Sequence, residues 1–402
     1  MRKQRLLKVA TAASLVALLA AACGSSSGGS TASTGGGKFT PPKIDAQKEL
    51  GAGEGTVNVL AWPGYAENGS TDPNVDWVGP FEKDTGCKVN VKTFGTSDEA
   101  VQLMRTGEYD VVSASGDASL RLIAAGDVAP VNLDLVPNYA DVFDGLKLKP
   151  WNSVNGAPYG IPHGRGANLL EWRTDIVKTA PDSWGVMFDQ NSPYKGKITA
   201  YDSPIYIADA ALYLKATKPD LGIKDPYALD DKQFKAAVDL LKQQKSLIGE
   251  YWGDYTKQIA SFKSGDTVLG FTWQVNTNLA KADGAPVENV KPKEGATGWS
   301  DTWMVAAKAK HPNCGYRWMN YIVSPKANAE VAEWFGEAPA NKKSCDLVSD
   351  KTFCDTFHAA DESFWTNVYY WNTPIKACLD GRTNVACKDY SEWTKAWTEI
   401  KG

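Results

Sequence analysis

Histidine is scarce in this chain: His163, His311 and His358 are the only three in 402 residues. No two cysteines have CxxC spacing, so the usual nitrogen and sulfur ligand set for zinc is missing and no metal site is expected. A Gly-Lys-Ser or Gly-Lys-Thr loop that could cradle a phosphate is also absent. The only Gly-x-Ser-x-Gly match, Gly24 to Gly28, lies in a Gly/Ser run where no strand or helix frames a nucleophile. Ser113 and Ser115 end a strand-like run, but His311 precedes Pro312 in a turn and His358 lies in a cysteine-rich tail. These gaps argue against hydrolysis, and the chain reads as a binder without a cofactor. An excess of basic residues is lacking too. The formal net charge is -4, and without Arg2, Lys3, Arg5 and Lys8 the remainder carries about -8. Nucleic-acid partners call for the opposite sign.

Long apolar runs are likewise absent. The longest, Val9 to Ala22, is shorter than the ~20 residues that span a bilayer. What stands there is a basic start, a short apolar segment and the small residues Leu19-Ala-Ala-Ala-Cys23, which is the layout of an export signal. It resembles a lipobox, with Ala20 where that pattern more often has Leu. The resemblance implies a signal peptide over 1–22 and lipidation of Cys23. Residues 23–55, rich in Gly, Ser and Thr, then form a flexible tether. The expected location is the outer face of the cytoplasmic membrane, on the periplasmic side if an outer membrane is present.

Apart from Cys23, six cysteines remain, an even number for an oxidising compartment. Six allow fifteen pairings. Short loops favour Cys345 with Cys354 and Cys378 with Cys387, leaving Cys87 with Cys314. Fifteen tryptophans are many for this length; some fill cores, and an excess also suits a site that stacks on ligands.

From Val57 onward, strand and helix patterns alternate. Val57–Trp62 and Lys88–Lys92 read as strands, with Trp77, Val78 and Phe81 on one side of a helix between them. Thr96 and Glu99 form a capping box for a helix through Met104. Tyr109–Val112 is a buried strand followed by a helix over Ser119–Ala125. A second unit starts near Ala167, with strands at Lys197–Tyr201, Val268–Trp273 and Thr302–Ala306. Its helices cover Ile207–Leu214, a segment capped by Asp230 and Gln233, and Tyr390–Ile400 with Trp393 and Trp397. This alternation predicts an α/β fold of two lobes, parallel sheets, and ligands at the carboxyl ends of strands. In the first lobe those ends are the loops at Trp62–Tyr65 and Ser113–Asp117.

Several segments resemble the bacterial extracellular solute-binding proteins of ABC transporters, of the spermidine/putrescine-binding type. They are Ala61-Trp-Pro-Gly-Tyr65, Phe81-Glu-Lys-Asp-Thr-Gly86, Tyr109-Asp-Val-Val-Ser-Ala-Ser115, Pro181-Asp-Ser-Trp184, Pro292-Lys-Glu-Gly295 and Trp299-Ser-Asp301. The resemblance runs from Val57 to the C-terminus and implies a periplasmic-binding-protein-like fold with a hinge and an interlobe cleft. Lobe 1 would take 56–164 and 299–325; lobe 2 would take 165–298 and 326–402. The implied partners are a small amine or zwitterionic solute, ABC permease subunits, and the membrane through the lipid, with the chain acting as a monomer.

A dication with methylene spacers needs aromatic faces around its chain and carboxylates at its ammonium ends. The resemblance places aromatics at Trp62, Tyr65, Trp273 and Trp299 and a carboxylate at Asp301. Trp299 and Asp301 lie two apart at a strand entrance, so they should face one side; Trp303 continues the alternation into the core. Ser115 and Asp117 follow a strand end, where Asp117 either pairs an ammonium or makes a turn. Asp202 and Tyr206 fall where polyamine binders place acidic groups, though Tyr206 is not acidic. The departure from the family is His163-Gly-Arg165-Gly, where relatives carry aromatics. Arg165 could grip a carboxylate, which favours an ω-amino acid such as γ-aminobutyrate, or it could neutralise Asp117 or Asp301.

Overall fold

A computed structural model describes residues 39–402. The lipobox, Cys23 and the tether as far as residue 38 lie outside the described residues. Three strands open the chain, β1 (Thr56–Ala61), β2 (Lys88–Thr93) and β3 (Val111–Ala114). A small hairpin, β4 (Ser153–Val154) and β5 (Ala157–Pro158), precedes β6 (Ile161–Pro162). Then come β7 (Gly164–Arg173), β8 (Ile198–Tyr201), β9 (Ile248–Trp252), β10 (Leu269–Trp273), β11 (Val287–Val290) and β12 (Ala296–Trp299). The last are β13 (Thr302–Val305), β14 (Ala338–Pro339) and β15 (Val368–Tyr370).

These strands build two principal sheets, one per lobe. The first runs β2-β1-β3-β13-β6 and the second β15-β12-β7-β10-β8-β9, with β11 and β14 also on β7. β1 lies parallel to β2 and β3, and β8 parallel to β9 and β10, as strand–helix–strand alternation requires. The sheets are nonetheless mixed. β13 runs antiparallel to β3 and β6, and β7 antiparallel to β10, β11, β12 and β14. The reason is that these strands enter from the other lobe, so their direction is set by the crossing.

Local chemistry accounts for the elements. β1 is central and apolar, with Val57, Val59 and Leu60 fully buried. β2 is an edge strand whose Lys88 and Lys92 face water and keep the edge from pairing further. Thr96 caps the helix Ser97–Met104 by accepting from the Glu99 amide, but the expected reciprocal bond is missing. The Glu99 carboxylate instead accepts from the Gly95 amide at 2.8 Å. Asp230 and Gln233 do form both halves of a capping box at the helix Asp231–Gln244. Much of the tryptophan serves packing: Trp77, Trp303 and Trp318 fill the first lobe, and Trp184, Trp252, Trp393 and Trp397 the second.

The chain passes between the sheets at short segments. It leaves β6 and enters β7 through His163, and it returns from β12 to β13 through Ser300 and Asp301. These two crossings touch, since the His163 amide donates to the Asp301 carbonyl at 2.8 Å. Beyond the helix Pro312–Ile322, which packs on β1 and β13, the chain reaches β14 on β7 through the helix Pro325–Phe335 and Glu337.

Among the described residues three disulfides form: Cys87–Cys314, Cys345–Cys354 and Cys378–Cys387. The first joins positions 227 apart, bringing a late helix back to the start of β2. Chain entropy assigns closure of such a loop a stabilisation on the order of 5 kcal/mol. Replacing Cys87 and Cys314 together by Ala should therefore lower the thermal midpoint well below that of the parent under non-reducing conditions. An unchanged midpoint would show that the bond adds nothing.

Candidate functional site

Strand carboxyl ends of both sheets converge on a cavity of about 340 Å³. Trp62 follows β1, Ser115 follows β3, Tyr201 ends β8, Trp273 ends β10, Trp299 ends β12 and Trp371 follows β15; all line the cavity. Phe335 closes one side from a helix end, and Asp254 and Tyr255 stand exposed on the second-lobe side. Asp301 lines the cavity from the crossing itself. None of the described lining residues is Lys, Arg or His.

Aromatic packing fixes the walls. Tyr201 and Trp371 stack with ring centroids 5.5 Å apart and planes 15° apart. Trp273 and Trp299 meet edge to face at 6.1 Å, and Trp299 meets Phe335 at 6.0 Å. The Trp273 indole is oriented further by donating to Asn168 Oδ1 at 3.0 Å. One glycine makes room for a ring and another for the backbone of a wall residue. A Cβ on Gly166 would lie 2.3 Å from the Trp299 indole, and one on Gly116 would lie 1.8 Å from the Trp371 carbonyl oxygen.

Asp301 is the chemical centre. It is 5% exposed, and Tyr65 donates its hydroxyl to Oδ2 at 2.8 Å. Oδ1 is itself buried and makes no hydrogen bond of ordinary geometry, although the Ser115 hydroxyl is near enough to the carboxyl to favour its charged form. Burial pushes the acid up to about 6, with the Asp117 charge adding to the rise and Ser115 and Tyr65 opposing it. A carboxylate taken out of water with one oxygen unpaired, at the wall of an aromatic cavity, is left with an uncompensated cost that a cation would relieve.

Residues 76–356 match the family of bacterial extracellular solute-binding proteins. The chain belongs to this family. It is 25% identical over 296 residues to the spermidine/putrescine-binding periplasmic protein of Escherichia coli, covering 71% of this chain and 81% of the relative. The fold is shared with PotD, the substrate-binding protein of the spermidine/putrescine ABC transporter from Streptococcus pneumoniae. Their TM-score is 0.66 at 17% identity, over 86% of this chain and 97% of that one. It is also shared with the periplasmic binding protein MotA of A. tumefaciens, solved with glucopine. That match has a TM-score of 0.65 at 19% identity, over 86% and 100% of the two chains. Periplasmic-binding-protein architecture is thus the frame in which the cavity sits.

Of the residues expected at the site, this solute-binding protein brings Trp62, Ser115, Trp273, Trp299 and Asp301 to the cavity. Trp299 and Asp301 meet there for a different reason from strand alternation. Trp299 belongs to the second sheet, and Asp301 stands just before β13 of the first. Tyr65 is fully buried behind Asp301. Asp117 sits in the first turn of the helix Gly116–Ala125, accepts from Ser97 Oγ at 2.9 Å, and is pushed to about 6 by burial; it is not a wall residue.

Arg165 requires correction. Alternation along β7 turns Gly164 and Gly166 toward Glu337 and Trp299, and Arg165 the other way. Its guanidinium donates to Glu362 Oε1 and the Ala359 carbonyl, both at 2.8 Å, and lies 4.2 Å from the Trp365 ring centroid. It therefore neutralises Glu362, neither Asp117 nor Asp301. His163 is buried at the crossing and accepts from Trp303 Nε1 at 2.9 Å. Asp202 instead accepts from Lys401 Nζ at 2.6 Å and Trp397 Nε1 at 3.1 Å, anchoring the C-terminal helix. Tyr206 is a core residue whose hydroxyl accepts from Gln244 at 3.1 Å. Tyr201, Phe335, Trp371 and the buried Glu337 were not foreseen. Only Tyr201, as the end of a foreseen strand, carried a readable signal.

Gly166→Ala should displace the Trp299 ring at a cost of about 1–3 kcal/mol. Near-ultraviolet circular dichroism should change while the far-ultraviolet spectrum stays; an unaltered near-ultraviolet spectrum would contradict the close approach.

Proposed function

We propose that this protein is the substrate-binding component of an ABC importer and captures a small amine of the putrescine/spermidine type by hinge closure. One observation carries the reading: a buried carboxylate, Asp301, with an unpaired oxygen at the wall of an aromatic cavity that holds no basic side chain. A primary ammonium would pair with Asp301. Trp62, Trp273, Trp299, Tyr201 and Trp371 would enclose the methylene chain through apolar and cation–π contact. Asp254, on the second-lobe side, offers a carboxylate to a second ammonium. The names of curated relatives support the amine class. The ω-amino-acid alternative rested on Arg165, whose charge is spent on Glu362.

Lobe closure would take place about the crossings at His163 and Ser300–Asp301, with the expected lobe bounds moved by one residue, lobe 1 taking 56–163 and 300–325 and lobe 2 taking 164–299 and 326–402, because Gly164 and Trp299 stand on the second sheet. A lipid at Cys23 and the tether to residue 55 would hold the monomer beside a permease and raise its local concentration there. In this reading the protein binds its solute without chemical change.

Calorimetry against putrescine, spermidine and γ-aminobutyrate tests the reading. A diamine should bind at pH 8, and Asp301→Asn should weaken it at least tenfold, or about 1.4 kcal/mol. Binding needs ionised Asp301, so affinity should hold above about pH 7 and fall as pH drops through 6, by roughly tenfold at pH 5. If neither polyamine binds, the proposal fails.

A further inference from the structure

Behind Asp301 lies a second buried acid for which the binding reading has no use. Glu337 is fully buried, just before β14, and Tyr65 Oη stands 3.3 Å from its Oε2 and 2.8 Å from Asp301 Oδ2. Its other oxygen stands 3.4 Å from His163 Nε2, a contact that is not a hydrogen bond, and neither of those two atoms has a hydrogen-bond partner. Gly164 creates the space for this acid: a Cβ there would lie 2.3 Å from the Glu337 carboxyl carbon.

Counting protons along this row gives one consistent order. Trp303 Nε1–H can only donate, so His163 Nδ1 is an acceptor and its single proton is on Nε2. The imidazole is then neutral, and burial holds it so, with its pKa pushed down to about 3. His163 Nε2–H lies near Glu337 Oε1, 3.4 Å away and not hydrogen-bonded to it. Tyr65 owns one proton and stands between two carboxyl groups, so it can donate to only one of them. Its shorter contact is to Asp301. If Glu337 were also ionised, Tyr65 would face an unpaired anion at 3.3 Å with two buried negative charges about one phenol. A protonated Glu337 removes both faults by donating from Oε2–H to Tyr65 Oη.

We infer that Glu337 carries the proton of this cluster and is a positioning residue, holding the Asp301 carboxylate through Tyr65 as the single negative charge offered to the cavity. The polar contacts then run in one direction: Trp303 donates to His163, whose Nε2 stands 3.4 Å from Glu337 without a hydrogen bond, and from Glu337 hydrogen bonds run to Tyr65 and on to Asp301, which would meet the bound ammonium. Every member except Tyr65 and Trp303 lies on a segment that passes between the sheets: His163 between β6 and β7, Asp301 between β12 and β13, Glu337 before β14. The row fixes both the direction of the receptor oxygen and the charge at this end of the cavity. One charge calls for one ammonium there. The titratable groups facing Asp301 are Tyr65 and Glu337, with Asp117 and Tyr201 further off. The burial that raises Glu337 well above its ordinary range agrees with the order.

The inference rests on the amine-binding reading for its ligand, but its proton placement is testable without one. Infrared difference spectra at pH 8, full-length protein against Glu337→Gln, should show loss of a protonated carboxyl band. Loss of an ionised carboxylate band would overturn the inference whether or not any amine binds. The binding arm uses putrescine. Glu337→Gln keeps a neutral donor and acceptor and should retain affinity within about threefold, with an unchanged pH midpoint. Glu337→Leu and Tyr65→Phe, which break the row, should each lose about tenfold. If Glu337→Gln loses affinity as fully as Asp301→Asn, Glu337 is an anion and the inference is wrong. A parent protein that binds no putrescine refutes the amine reading, and the infrared arm alone then decides where the proton sits.

Discussion

A carboxylate held out of water where two sheets exchange a strand is the constraint on which the rest depends. Asp301 stands two residues past the end of β12 and one before β13. Its backbone carbonyl is tied to His163 at the other crossing, and its side chain to Tyr65. An isolated buried charge is expensive, and the Tyr65 hydroxyl donates to this one at 2.8 Å. What remains without a hydrogen bond is one buried oxygen of a residue that lines the cavity. Aromatic walls sharpen this by excluding water, which strengthens attraction for a cation and offers ring faces to its methylenes.

The motif His163-Gly-Arg-Gly acquires a new meaning in that setting. In sequence its arginine stood out, because a fixed charge near a cleft has an obvious ligand reading. In space the two glycines leave room for neighbouring side chains and the histidine packs in the core at the crossing, while Arg165 lies on the other side of the strand. Gly164 leaves room for Glu337 and Gly166 for the Trp299 indole. Arg165 packs on Trp365 and pairs with Glu362, stabilising the tail that carries Tyr370 and Trp371.

Much of the framework was legible because its signals are local. The alternation of β2, the buried runs of β1 and β3, and the Asp230/Gln233 cap are each written within a few residues. So were Trp62 and Ser115, which follow strands of a foreseen parallel set. Legibility failed where position depends on a crossing. Antiparallel β13 and β7, the hidden Glu337, and the wall residues Phe335 and Trp371 come from segments far apart in sequence, and no periodicity marks their meeting. Asp202 and Tyr206 failed for another reason: an acid or phenol at the right distance from a strand end can turn toward a terminal helix as readily as toward a cleft.

If Asp301 is the cation receptor, the ligand must find it half protonated near pH 6 and must expel that proton. Calorimetry of putrescine binding at pH 6 in buffers of different ionisation enthalpy measures this directly. The predicted result is release of about half a proton per ligand bound, vanishing by pH 8. Heats of binding that do not depend on the buffer at pH 6 would contradict it.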